Sequence, residues 1–114
     1  MIFDRYEHLS EDAQRLLCFF VDTGLGSEKR MDEHIYLLTQ YCFTAFDGQS
    51  ALEELLREGI LKHEGKDWYA NMPRYGIHDA DFVPALWYLY ECRKDLLLSF
   101  RKFHQMGGTL YRSV

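Results

Sequence analysis

The chain has 114 residues, 47% hydrophobic, 16% aromatic and 27% charged, with a formal net charge of −5 at pH 7. That length accommodates one hydrophobic core but not two, so we expect a single domain over residues 1–114, and the apolar content excludes intrinsic disorder. Apolar runs fall short of the ~18 residues a membrane span needs, and the opening MIFDRYEHLSED has neither part of an export signal, so a cytoplasmic protein without membrane association is expected.

In chain order, Ser10 reads as an N-cap, with Glu11 and Asp12 in the first turn where the helix dipole favours anions. Ala13 to Val21 becomes apolar on all sides towards its end, which predicts a helix covered on more than one face. Thr23-Gly24-Leu25-Gly26-Ser27 stops it, with Gly24 in the C′ position. Glu28-Lys29-Arg30 then fits either a short strand or an early start of the next helix at Ser27. Asp32 is the better cap for that helix, which sets Ile35, Leu38 and Cys42 on one face. A third helix is predicted with Thr44 as N-cap and Asp47 three residues on. Its Leu52, Leu55 and Leu56 share a face. Gly59 sits at its C′ position, with Ile60 packing back on the last turn.

Two short β-capable runs follow, Ile60–Glu64 and Trp68–Met72, around a type II′ turn at Gly65-Lys66. Pro73-Arg74-Tyr75-Gly76 reads as a turn. Pro84 fits only the first turn of a helix, so the last helix is expected to start near Asp81 or Phe82 and run to Gln105, about 35 Å. From Phe82 to Tyr90 its apolar residues face every direction, which one small core is not expected to cover. The helix either overhangs the core or is covered by a second subunit or neighbouring domain. Phe82, Leu86, Trp87 and Tyr90 are therefore the candidate interface, with Trp87 the favoured anchor because indoles dominate interface energetics. Residues 106–114 form a tail of strand-like composition.

The residues offer little chemistry. Cys18, Cys42 and Cys92 are odd in number, widely spaced and set in apolar runs, which predicts inert buried thiols. The five histidines lack zinc-site spacing, and Gly24-Leu25-Gly26 has no Lys-Ser/Thr behind it to make a phosphate loop. His78, Asp79 and Asp81 make the one compact polar cluster, read as a helix-capping loop. Glu53 and Glu54 read as a solvated helix face. No catalytic residue, metal or cofactor is expected, and the chain is not expected to be an enzyme.

Leu-x-x-Leu-x-x-x-Gly-Ile-Leu from Leu52 to Leu61, followed by a tight hairpin, resembles the third helix and wing of winged helix-turn-helix domains, and the resemblance covers residues 9–72. It implies a fold that is mainly α with a small β-hairpin: a winged-helix-like three-helix core plus the long C-terminal helix at residues 81–105. Leu9 to Leu17 also resembles the N-terminal helical segment that precedes some bacterial Swi/Snf-type helicase cores. In DNA-reading relatives the third helix enters the major groove. Here residues 45–59 carry Asp47, Glu53, Glu54 and Glu58 against Arg57, a net of −3, and only Gln49 and Ser50 suit base edges. An acidic face forfeits the phosphate neutralisation that supplies most affinity.

Lys62, His63, Lys66 and Arg74 form a small basic strip fit for backbone contacts alone, so nucleic-acid binding is expected to be weak or non-specific. Residues 1–59 hold twelve acids and five bases, a net of −7, and residues 60–114 six acids and eight bases, a net of +2. The expectation is a non-enzymatic interaction module that docks protein or self-associates through its C-terminal helix, as an accessory domain of a larger nucleic-acid-related protein in one version. A small dimeric winged-helix transcriptional regulator, whose wing and C-terminal basic residues hold the DNA backbone, is the alternative.

Overall fold

The computed structural model describes residues 3–22, 29–30, 45–66 and 73–99. Its centre is α2 (Glu11–Asp22), which follows the one-turn helix α1 (Asp4–Glu7). Leu16, Leu17, Cys18, Phe19, Phe20 and Val21 are all buried, so the all-round apolar run is accounted for by neighbours on every side. Those neighbours are chiefly α3 (Gly48–Arg57) and α4 (Asp79–Cys92). Ser10 caps α2 as its sequence predicts, its Oγ accepting from Ala13 N at 3.1 Å.

The α3 start differs from expectation. Asp47, not Thr44, is the N-cap, with Oδ1 accepting from Ser50 N at 3.1 Å, and Thr44 lies outside the described residues. Ala45 has φ +55°, a left-handed conformation that turns the chain before the cap. Gly48 is consequently the first residue of the helix rather than part of its interior, where its propensity cost would apply. The end agrees with the sequence. Gly59 has φ +72°, its N–H donates to Leu56 O at 3.1 Å, and Ile60 N donates to Leu55 O at 3.0 Å. That pair of bonds is a Schellman motif, and buried Ile60 supplies its apolar contact.

The fold is mainly helical with a small antiparallel hairpin, formed by β2 (Leu61–Lys66) and β3 (Pro73–Ile77). The segment at residues 29–30 is a strand, β1 (Lys29–Arg30), and it pairs with the far edge of β3 to give the order β1-β3-β2. The hairpin register corrects the reading of two stretches. Gly65 lies inside β2 with φ +91°, where the register slips between His63 and Lys66, so it forms a bulge and not the turn. The second strand is Pro73–Ile77, the stretch read as a turn, and the predicted strand Trp68–Met72 lies outside the described residues. Proline is tolerated there because it is the first residue of the strand.

Helix α4 begins two residues earlier than Pro84 led us to expect. Pro84 lies inside the helix beyond its first turn; the one bond it fails to make is to Ala80 O, and both residues are exposed. The long helix expected at residues 81–105 is interrupted. Arg93 is the C-cap of α4 with φ −135° and ψ 49°, and residues 94–99 turn helical again. Residues 100–105 lie outside the description. The cause of the break is tertiary: the Arg93 guanidinium is gripped by Glu11 and Gln14 of α2 and by Asp95.

Candidate interaction surface

On α4 two apolar faces lie back to back. Ala85, Tyr88 and Leu89 face the core with Asp81, while Val83, Leu86, Trp87 and Tyr90 recur at i, i+3, i+4 and i+7 along the opposite side. Val83, Trp87 and Tyr90 are 55%, 58% and 53% exposed, and Leu98 beyond the helix break is 57% exposed. Leu86, Trp87 and Tyr90 line a groove of about 310 Å³. Of the four interface residues predicted from the sequence, Trp87 and Tyr90 stand in solvent. Phe82 and Leu86 are half-buried, packed against the core. Val83 and Leu98 were not singled out by the sequence reading. The signal for Val83 was its spacing of four from Trp87, hidden in a run where every position is apolar.

The face is held rigidly from behind by two polar clusters. Asp81, 7% exposed, accepts from Arg5 Nε at 2.9 Å and from Tyr6 Oη at 2.8 Å. Burial pushes the Tyr6 phenol well above its usual pKa, and its hydrogen bond to Asp81 adds to the shift. The Arg5 guanidinium is held more strongly protonated by Asp81 and also donates to Glu58 O at 3.0 Å, tying α1 to the end of α3. His78 N donates to Ile60 O at 2.9 Å, which joins the start of α4 to the same place. The polar cluster read as a capping loop is thus split: Asp81 is turned inward and Asp79 stays exposed.

In the second cluster Arg93 makes a forked contact with Glu11, with Nη1 to Oε1 at 2.8 Å, and another with Asp95, with Nη2 to Oδ2 at 2.9 Å. Asp95 and Glu11 hold Arg93 firmly protonated, and Arg93 in turn draws both carboxyls below their usual range. Buried Gln14 completes the cluster. Its Oε1 accepts from Arg93 Nη1 at 2.7 Å and from Tyr88 Oη at 2.8 Å, and its Nε2 donates to Leu9 O at 3.1 Å.

The basic strip is less coherent. Lys62 on β2 is half-buried opposite Gly76, and exposed His63 has its ring 5.0 Å from that of Tyr75. Lys66 and Arg74 sit at register positions opposite Pro73 and Arg30 respectively. On α3, Gln49 and Ser50 are exposed, and Gln49 Nε2 donates to Glu53 Oε1 at 3.3 Å. Glu54 is not part of a solvated face, because it accepts from both N and Oγ of Ser10 at 2.8 and 2.7 Å.

Among the described residues no group of three or more His, Cys, Asp or Glu side chains is placed to hold a metal ion, and no helix is long and apolar enough to cross a membrane. Cys18 is buried as expected, but Cys92, the last residue of α4, is exposed, and Cys42 is outside the description. Comparison with known proteins finds no matching family model, curated protein or solved structure.

Proposed function

We propose that the chain is a non-enzymatic, winged-helix-like interaction module of the cytoplasm, and that it docks protein through the outer face of α4. One observation carries the reading: Val83, Trp87 and Tyr90, each more than half exposed, form a continuous stripe on a helix whose other face is anchored in the core. Large apolar side chains clustered in this way mark interaction sites, and aromatic anchors contribute most of the energy of such contacts. The winged-helix part is supported by the hairpin that follows α3, where the resemblance puts the wing, and by β1, which pairs beside it.

A photo-crosslinking amino acid in place of Val83, with a second placed at His63, separates this reading from DNA binding in living cells. The expected outcome is adducts with polypeptide at position 83. Adducts with nucleic acid at position 63, and none at 83, would replace the proposal with a regulator that holds the DNA backbone through Lys62, His63, Lys66 and Arg74.

A further inference from the structure

We propose that Arg93 latches a two-position joint: closed, it bends the chain after α4, and open, it lets residues 79–99 run as one helix. The inference stands apart from the docking reading above. The backbone is helical on either side of Arg93, and Arg93 alone leaves that conformation, with φ −135° and ψ 49°. No glycine or proline lies between Pro84 and Gly107. Glu91 to Ser99 are residue types that a helix accommodates at little cost, so local preference favours the straight form.

Two contacts hold the bend. The Arg93 guanidinium donates to both carboxylate oxygens of Asp95, at 3.1 and 2.9 Å, a forked grip on a residue two positions away. Positions i and i+2 of a helix do not face each other, so this grip exists only in the bent form. Glu11 and Gln14 of α2, at 2.8 and 2.7 Å, fix the guanidinium where Asp95 meets it. The second contact is Leu96, which is buried. Ala85, Leu89 and Cys92 fall at i, i+4 and i+7 along one line of α4. Ala85 and Leu89 are buried but Cys92 is exposed, so the core ends short of the last turn. A straight helix would carry Leu96 one turn beyond Cys92, into solvent.

Each position has its own gain. Straightening directs the Lys94, Asp95 and Leu96 N–H groups to the carbonyls of Tyr90, Glu91 and Cys92, in place of the bond from Leu96 N to Arg93 O at 3.1 Å. Bending keeps one leucine buried and an ionic grip near the surface, where Asp95 is 65% exposed and the attraction is screened. A joint balanced in this way shifts when either contact is lost. Its two positions differ in reach. Closed, α4 has fourteen residues and spans about 21 Å; open, it spans residues 79–99, about 31 Å. Opening also sets Leu97 seven positions past Tyr90, so the joint governs the length of the apolar stripe.

NMR of the isotope-labelled whole chain reads the joint through the Cα shift at position 93 and two NOEs that cross it, from Glu91 Hα to the Lys94 amide and from Cys92 Hα to the Asp95 amide. Wild type is expected to show a non-helical shift and neither NOE. Arg93→Gln releases the grip and Leu96→Gln removes the buried leucine. Glutamine matches arginine and leucine in helix propensity, so neither change alters the local preference. Each single variant should move the shift towards the helical value. The double variant should show both NOEs, with the Asp95 amide exchanging about tenfold more slowly as its helical bond forms. Direction separates a latch from a merely stabilising cluster: losing the latter frays the end of α4, whereas releasing a latch lengthens it. A wild type that is already straight, fraying of residues 90–92 in Arg93→Gln, or a folded double variant that stays bent overturns the proposal. Where Leu96→Gln does not fold, Arg93→Gln carries the test alone, and an unmoved shift in it overturns the latch.

Discussion

Replacing Asp81 by alanine removes the acceptor on which the N-terminal turn and α4 converge. Its carboxylate is nearly buried and takes hydrogen bonds from Tyr6 and Arg5, seventy-five and seventy-six positions away in sequence. The two donors respond differently to its loss. The Tyr6 hydroxyl is left in a buried site, and an unsatisfied buried donor costs about 1–3 kcal/mol. The Arg5 side chain is 45% exposed, so it rehydrates and its share is held to at most ~1 kcal/mol by solvent screening. Losing an anion from the first turn of α4 adds ~0.5 kcal/mol. The sum, about 2–4 kcal/mol, is a large fraction of the ~5–15 kcal/mol that stabilises a domain.

Urea denaturation followed by fluorescence and by circular dichroism measures the loss of stability, with the slope m checked for constancy. Tyr6→Phe in the Asp81→Ala background should recover ~1 kcal/mol or more, because the orphaned hydroxyl is gone. A loss below ~1 kcal/mol for Asp81→Ala, or no recovery in the double variant, would refute the assignment of Asp81 as the anchor of α4.

Leu55, on α3, is fully buried, so Leu55→Ala is expected to cost ~2–5 kcal/mol in the same urea melts. A loss under ~1 kcal/mol would mean that the inward face of α3 is wrong. The Arg93 cluster predicts a pH dependence. Glu11 and Asp95 have folded pKa values below their ordinary 4.5 and 3.8, so their contribution is complete above about pH 4.5 and is lost as pH falls through the lowered values. Wild type should therefore lose stability below pH 4.5 more steeply than Arg93→Ala, and parallel curves for the two proteins would sink the argument.

Features fixed by neighbouring residues were legible in the sequence, and those fixed by distant contacts were not. Ser10 before Glu11-Asp12, and Gly59 before Ile60, announce a cap and a stop through bonds that span only a few positions. Gly65 announces a positive φ equally well, but a bulge and a two-residue turn both use one, so the register was open and the strand was placed too early. The break at Arg93 had no local signal at all. Tyr90-Glu91-Cys92-Arg93-Lys94-Asp95 is ordinary helix-forming sequence, and what interrupts it is a guanidinium reaching α2, about eighty residues earlier. The stripe on α4 was half legible. An all-apolar run declares that something must cover it, but which residues point outward depends on where α2 lies.

The acidity of α3 has an explanation within the fold. Asp47 is spent on capping its own helix, and Glu54 satisfies the N–H and hydroxyl of Ser10 at the start of α2. Asp12 returns the contact, its Oδ2 accepting from Asp47 N at 3.1 Å. Asp47 thus sits at the N-terminus of its own helix, and Glu54 reaches from the second half of α3 to the N-terminus of α2, where each anion is favoured by the orphan N–H groups and by the dipole. A helix that reads bases needs those N-terminal positions open and its flanks cationic. Here Gln49 leans on Glu53, and Glu53 and Glu58 stand exposed on the outer face. Charge thus disfavours a polyanion on α3, while burial ties its inner face to α2. Among the described surfaces, the apolar side of α4 is the one whose exposure its own neighbours do not repay.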